Sequence, residues 1–294
     1  MVTRKPRVLV TYKKSAYQLH MLERRDPHLW RFLRASPGDG ADMREAHAVH
    51  HQTLDTVVQT LKRLGVRCDL VYRAQLRTTA GYDVVVSVGG DGTFLQASHA
   101  VEDIPLLGVN SDPRRSEAVF CAATGSTFDR VIRRALAGTL KELQLSRLQL
   151  WRNGRRLRPL ALNDVLIAHE DPATMSRYRL TIGARQEDQK SSGLWVATAA
   201  GSSSAILAAG GTRLAWTARG FQYWPRELYR GRLNRYRFTG GVLPPSATVS
   251  LTWLMRTGAV FLDGPHVRVP LRFGDRLLIE RVPNHPLRVL GLSR

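Results

Sequence analysis

The sequence is poor in cysteine, in lysine and in long apolar runs, and each shortage excludes something. Its two cysteines, Cys68 and Cys121, lack Cys-x-x-Cys spacing, so they read as small core residues rather than a disulfide or a thiolate metal pair. No apolar run approaches the roughly 20 residues needed to span a bilayer. The first strand pattern, Val8–Val10, begins too soon to leave room for a signal or transit peptide, so a cytoplasmic protein starting at Met1 is expected. RNP, zinc-finger and helix-turn-helix patterns are absent, as are fixed-period repeats and low-complexity linkers. The histidines of "HAVHHQ" (His47, His50, His51) have helical i, i+3/i+4 spacing but no carboxylate or thiol cluster beside them. They read as a solvated helix face, and no metal-ligating residues are assigned.

What the chain has in excess is positive charge. Its formal net charge is +20, yet 38 of the 44 basic residues are arginine and only six are lysine, a skew that codon bias in a GC-rich genome produces by itself. The charge therefore excludes little and implies neither nucleic acid nor membrane as partner, although it attracts a highly phosphorylated substrate. With 294 residues, 43% of them hydrophobic, the chain is long enough for two domains, each with its own core.

The first part alternates strands and helices. "RVLVTY" reads as a strand, Met43–Leu64 as an amphipathic helix closed by Gly65, and "RCDLVY", 83–88 and "IPLLGVN" (104–110) as further strands. "STFDRVIRRALAG" (126–138) reads as a helix capped by Ser126 or Thr127 and ended by Gly138. Such alternation predicts a parallel open sheet with ligands at the carboxyl ends of its strands. From about residue 141 the pattern changes to short strands with polar turns, including a hairpin around Asn153-Gly154, then "LNDVLIAH", "YRLTIGA", "LWVATA", "TVSLTWL" and "AVFLDG". The expected fold class is an α/β N-terminal domain with a parallel open sheet (1–140) plus a β-rich C-terminal domain (141–272), with 273–294 returning to the first domain. The Arg-rich segment 213–237 has no assigned regular structure; it reads as a solvated loop, with a phosphate or partner site as the alternative.

Three clusters carry chemistry. In "VGGDGTF" a buried strand runs into glycines and a helix, the arrangement that offers backbone N–H groups to an anion. The glycines Gly89, Gly90 and Gly92 permit φ > 0 and close approach of a ligand. Asp91 would repel a bare phosphate, so it either accepts a hydrogen bond from a substrate hydroxyl, helps to hold Mg²⁺, or is a turn residue. The first of these is the arrangement for phosphoryl transfer to an alcohol. In "ATAAGSSSAILAAGG", Ser202, Ser203 and Ser204 either donate to sugar hydroxyls and phosphates or cap a tightly packed small-residue helix. Asn163-Asp164 places an amide and a carboxylate at a strand end, which suits a structural turn and a nucleoside site equally.

Taken in order, "GGDGT", "GVN", "LND", "SSGLWVATAAGSSSA" and "FLDG" resemble the NAD kinase family, whose members carry GGDGT, a GxN strand, an Asn-Glu pair, a TPTGSTAY-like segment and a late Asp-Gly. "GVNSDPRRSE" and "KSSGL" look like its mitochondrial-type branch. The resemblance implies that the chain phosphorylates the adenosine ribose 2′-hydroxyl of NAD, with Asp91 as the catalytic carboxylate. It further implies that Gly90, Gly92, Thr93, Asn110, Asn163, Asp164, Thr198, Ser202, Ser203 and Asp263 shape or line the nucleotide sites. ATP is the implied donor, with Mg²⁺ held mainly by its phosphates, and a homodimer or higher homo-oligomer the implied assembly. Asp164 departs from the family's glutamate, Ala199, Ala200 and Ala205 from its proline, threonine and tyrosine, and Ser192 from an aspartate. GGDGT before a β-rich domain is also similar to diacylglycerol and sphingosine kinases, so a lipid kinase and a non-catalytic nucleotide-binding relative are the alternatives.

Overall fold

A computed structural model describes residues 4–232 and 235–292 of the chain. The chain divides into two units, Met1–Leu143 with Arg288–Ser293, and Gln144–Leu287.

The first unit is built on strands β1 (Arg7–Tyr12), β2 (Arg67–Tyr72), β3 (Val84–Gly89) and β4 (Leu106–Asn110). They pair in parallel in the order β2-β1-β3-β4. A two-residue strand, β5 (Ala123–Thr124), pairs with β4 in parallel. The chain's last strand, Leu287–Leu290, lies between β4 and β6 (Glu142–Leu145), parallel to β4. Of the segment 273–294, Leu287–Leu290 pairs in this sheet, whereas Arg276–Arg281 pairs with strands of the second unit; every residue of β3 is buried, as its β-branched run requires.

Four helices accompany the sheet: α1 (Pro27–Ala35), α2 (Pro37–Arg63), α3 (Asp91–Ser98) and α4 (Phe128–Leu136). Leu54, Val57 and Leu61 of α2 pack with Val8, Val10, Val84, Val86 and Val88 in one core, and Gly65, at φ +66°, ends the helix. Helix α2 starts six residues before the periodic pattern does, with Pro37 in its first turn, where a missing N–H costs nothing. Helix α1 has a signal that apolar spacing does not reveal: the Asp26 carboxylate accepts from the N–H groups of His28 and Leu29 ahead of Pro27. In α4 the expected side-chain cap is not made. Thr127 stands at the N-cap, but its hydroxyl accepts from Thr124 N (2.9 Å) instead of a helix N–H.

The solvated-face reading of the histidines is corrected. His50 is buried, its Nε2 2.7 Å from the carbonyl of Lys13, and burial pushes its pKa down to about 4. His47 and His51 are half-buried against residues 15–18, His47 Nδ1 at 2.8 Å from Ser15 Oγ and His51 Nε2 at 3.2 Å from Gln18 Oε1. Both cysteines are free.

The second unit contains strands β7 (Leu148–Arg152), β8 (Arg155–Arg156), β9 (Asp164–Ala168), β10 (Ser176–Ile182), β11 (Arg185–Ser191), β12 (Gly193–Thr198), β13 (Phe221–Arg226), β14 (Gly241–Leu243), β15 (Thr248–Trp253), β16 (Gly258–Leu262), β17 (Val267–Leu271) and β18 (Arg276–Arg281). They form two antiparallel six-stranded sheets, ordered β11-β10-β15-β18-β7-β8 and β14-β13-β12-β9-β16-β17. A single core of alternate residues from both sheets, among them Ile167, Tyr178, Val196, Phe221, Trp253 and Ile279, fills the unit. The Arg-rich segment is not simply a loop. Phe221–Arg226 is a strand, with Phe221, Gln222, Tyr223 and Pro225 buried, while Arg213, Arg219, Arg230, Arg232, Arg235 and Arg237 are exposed. Its residues 233 and 234 lie outside the described residues. No helix among the described residues is long and apolar enough to cross a membrane.

The last strand brings Leu287, Val289 and Leu290 into the interior. At about 1.5–3 kcal/mol for each buried side chain, their removal approaches the whole stability of a domain. A chain ending at Pro286 is expected to lose the cooperative thermal transition of the first unit, read by near-UV circular dichroism, and to be cut within residues 4–143 in limited proteolysis.

Candidate functional site

The residues singled out in the sequence fall into two sets, one in each unit. In the first unit, β3 passes into α3 through Gly90 alone, whose backbone is extended (φ −116°, ψ −164°). None of Gly89, Gly90 and Gly92 has positive φ, so these glycines serve space rather than left-handed backbone. A Cβ on Gly89 would stand 2.2 Å from Thr93 Oγ1, and one on Gly90 2.9 Å from Ser116 Oγ. Thr93 is correspondingly buried under the turn. Helix α3 follows the carboxyl end of β3, and its first backbone bonds run from Thr93 N (2.9 Å) and Phe94 N (3.2 Å) to Gly90 O, so the N–H groups of Asp91 and Gly92 lie ahead of the helix's own ladder.

Asp91 is gripped by backbone. Its Oδ2 accepts from Val119 N (3.1 Å) and its Oδ1 from Phe120 N (2.9 Å), while the Phe120 ring stacks on Phe94 at 5.1 Å between centroids. Asn110 is a loop organiser: its Oδ1 accepts from Asp112 N (3.0 Å) and its Nδ2 donates to Ser116 O (2.7 Å). The loop it folds, 111–120, is the one that holds Asp91. Arg115 ties that loop to α2, contacting Asp42 and Glu45 as well as its own loop's Asp112 Oδ2 (3.2 Å). Arg114 adds a second bond to Glu45. The other Asp112 oxygen, Oδ1, is buried with no hydrogen-bond partner among the described residues.

In the second unit, Asp263 plays a similar part. At φ +51° it turns its carboxylate toward the end of β9, where Oδ2 accepts from Leu162 N (2.8 Å) and Oδ1 from Asn163 N (2.7 Å) and Asp164 N (3.0 Å). Asp164 is buried, its Oδ2 accepting from Asn163 Nδ2 (2.8 Å) and lying 2.9 Å from Ser204 Oγ. Burial, and then the neighbouring Asp263 charge, push its pKa up to about 7. Ser204 Oγ is also 2.7 Å from Gly201 O, so a protonated Asp164 can donate to Ser204 while Ser204 donates onward.

Thr198 and Ser202 are held inside the same turn. Thr198 Oγ1 donates to Leu162 O (2.6 Å) and accepts from Gly201 N (3.1 Å), and Ser202 Oγ donates to Ala199 O (2.7 Å) and accepts from Leu214 N (2.8 Å). Ala199 and Ala200 are buried in this turn, and Ala205 is exposed. Ser203 is half-buried and forms no hydrogen bond among the described residues, so its hydroxyl is open to a ligand. The expected serine-capped helix is a 3₁₀ turn, Ala200–Ser203, followed by α5 (Ala205–Ala208), and Ser204 at its N-cap bonds Asp164 and Gly201 O instead of a helix N–H.

Sequence reasoning missed Arg73, which reaches the glycine turn, Lys13, which follows the neighbouring strand end, and Asp112, which carries the orphaned oxygen. Lys13 and Arg73 each follow a strand end directly, in "VTYK" and "LVYR", and a cation in that position was the available signal. Among the described residues no group of three or more His, Cys, Asp and Glu could hold a metal ion.

Residues 34–133 match the family described as the ATP-NAD kinase N-terminal domain. A probable NADH kinase from Oryza sativa subsp. japonica is 35% identical over 255 residues, 79% of this chain and 78% of the rice protein. Two crystal structures share the fold. An NAD kinase from Archaeoglobus fulgidus in complex with ATP has a TM-score of 0.66 at 20% identity, covering 96% of this chain and 92% of that one. Yeast NADH kinase complexed with NADH has a TM-score of 0.72 at 14% identity, covering 99% and 85%.

Two outcomes follow from the second-unit turn. A Cβ on Gly201 would lie 2.0 Å from the carbonyl oxygen of Asn163, where only backbone can give way. Gly201→Ala is therefore expected to cost about 1–3 kcal/mol or more in urea unfolding. Between about pH 4 and pH 7 native Asp164 holds a proton that the unfolded chain has released, so its contribution to stability falls as pH rises through that window, by up to about 1.4 kcal/mol per unit. Unfolding measured at pH 5 to 8 should show that slope in the wild type and lack it in Asp164→Asn.

Proposed function

The chain belongs to the NAD kinase family, and from that premise we propose that it transfers a phosphoryl group from ATP to the adenosine ribose 2′-hydroxyl of NAD, oxidised or reduced, giving NADP or NADPH. The observation that carries the reading is the state of Asp91, a half-buried carboxylate at the start of α3 whose two oxygens are aimed by two backbone N–H groups. A carboxylate oxygen can accept more than one hydrogen bond, so the bonds from Val119 and Phe120 do not by themselves prevent either oxygen from accepting a substrate hydroxyl. Being a turn-holding carboxylate and being a catalytic one are thus compatible.

In this reading Asp91 orients the 2′-hydroxyl and takes its proton as the phosphoryl group arrives. The glycine turn and the α3 N-terminus receive the donor phosphates, because Gly92 puts no side chain over the backbone there. Asn163, Asp164 and Ser203 offer donors and acceptors to the dinucleotide's hydroxyl and amide groups. Thr198, Ser202, Asn110 and Asp263 act by holding the loops in shape, since their polar atoms already bond the backbone. A shorter carboxylate at 164 than the family's glutamate agrees with its position inside the turn, where Asn163 and Ser204 reach it.

Mg²⁺ fits the donor set. The buried, unpartnered Asp112 Oδ1 is a hard oxygen of the kind this ion takes in ones and twos, with substrate phosphates and water completing its shell. Bound there, the ion would neutralise charge on the transferred group.

The test is product formation: purified protein with ATP, MgCl₂ and either NAD⁺ or NADH, the 2′-phosphorylated product detected by an NADP-specific dehydrogenase or by mass. Asp91→Asn is expected to lose about 10²–10⁴-fold in turnover. An asparagine can accept from only one of the two N–H groups, so the variant should also lose about 1–3 kcal/mol of stability, checked by thermal unfolding before activity is compared. Absence of product with both redox forms, or wild-type turnover in a folded Asp91→Asn, overturns the reading.

A further inference from the structure

Strands β2, β1 and β3 end in step. Tyr12 pairs with Tyr72 on one side and with Val88 on the other, so Arg73 and Lys13 leave the sheet at its carboxyl edge, level with Gly89, the last residue of β3. Arg73 Nη1 lies 3.5 Å from Thr93 Oγ1 and 3.7 Å from the place a Cβ on Gly92 would take, which sets the guanidinium beside the first turn of α3.

The side chains of Lys13 and Arg73 are both half-buried, and among the described residues neither forms an ion pair. Burial, and then the charge of Arg73, pull the Lys13 ammonium below the usual lysine range, against a weaker opposing effect of Asp112. Burial does the same to Arg73. The neighbouring lysine shows that counter-charge is available locally: Lys14 bonds Glu23 at 2.8 Å and sits over the Tyr72 ring. Asp112, the carboxylate that acts on Lys13, gives its Oδ2 to Arg115. The Lys13 backbone is fixed from below by buried His50, bonded to its carbonyl. Two like charges therefore follow neighbouring strand ends, partly desolvated and without an ion pair among the described residues, beside a glycine turn that Arg73 contacts. Such a pair weakens the ligand-free fold and favours a ligand carrying several negative charges close together.

We propose that Lys13 and Arg73 are the residues that recognise the phosphate chain of the donor, reading its charge rather than its base. The inference rests on the kinase reading and deepens it by assigning the donor's charge recognition to two strand-end cations outside the glycine motif. The class of ligand is a linear triphosphate, free or as a nucleotide. Charge-assisted bonds from a guanidinium and an ammonium suit it better than a single phosphate, which leaves one of the two cations uncompensated.

The experiment uses the whole chain with no acceptor present: calorimetric titration of MgATP and of inorganic tripolyphosphate into wild type, Lys13→Met, Arg73→Met and Lys13→Arg, with NAD⁺ titrated separately. Each methionine variant should bind both triphosphates at least ~10-fold more weakly, a loss of about 1.4 kcal/mol. NAD⁺ affinity should stay within about twofold, the ligand-free Tm should hold or rise because repulsion is relieved, and Lys13→Arg should bind within a few-fold of wild type. Unchanged tripolyphosphate binding in both methionine variants overturns the proposal, as does a fall in ligand-free Tm that accompanies an equal loss of NAD⁺ binding. If wild type binds triphosphate through these residues but forms no NADP, the kinase reading fails and this one stands. If NADP forms with an unchanged KM for ATP in both methionine variants, the reverse holds.

Discussion

Hydrogen bonds between parallel strands ending in step are what the first unit's chemistry depends on. Because β2, β1, β3 and β4 run the same way in one continuous register, their next residues, Arg73, Lys13, Gly89 with Gly90, and Ser111, emerge along a single edge. A one-residue slip in any pair would turn the outgoing side chain to the opposite face. The apolar interior that enforces the register, Val8, Val10, Val84, Val86, Val88, Leu107 and Val109, therefore positions polar residues it never touches.

Both units solve the problem of shaping a polar loop in the same manner. A carboxylate accepts several consecutive backbone N–H groups from a segment distant in sequence: Asp91 from 119 and 120, Asp263 from 162, 163 and 164. Such charge-assisted bonds are stronger than neutral ones and fix direction as well as distance. They also explain why a residue can be essential to a site's geometry while few of its atoms remain for a ligand.

Much of this was legible in the sequence, for physical reasons that can be named. The β-branched run at 84–88, the periodicity of α2 and the Asn153-Gly154 turn each carry a local energetic signal, and the β-rich texture after residue 141 follows from alternation. What escaped was long-range. Nothing local to Asp91 says that its oxygens meet the N–H groups of residues 119 and 120, and nothing in "HAVHHQ" says that His50 is covered by the segment that follows β1. The positive φ expected at the turn's glycines is not there: their backbone is ordinary, and at Gly89 and Gly90 it is the neighbouring Thr93 and Ser116 side chains that forbid a Cβ. Strand β11, "RQEDQKS", is too polar to declare itself and forms through its pairing with β10.

The last strand has a consequence for how the protein is made. Leu287–Leu290 inserts between β4 and β6, so the sheet that carries the glycine turn contains a gap until residues 287–290 have been synthesised. At about 5–20 residues per second, the roughly 140 residues that separate β6 from it take some seconds to emerge. During that interval β5 covers β4 only at Val109 and Asn110, and the rest of that edge presents backbone groups of the kind on which chains associate wrongly. The second unit, whose strands lie almost entirely between those two points, can gather its own core meanwhile. Of the two units, the one whose strands begin first is therefore the one completed last.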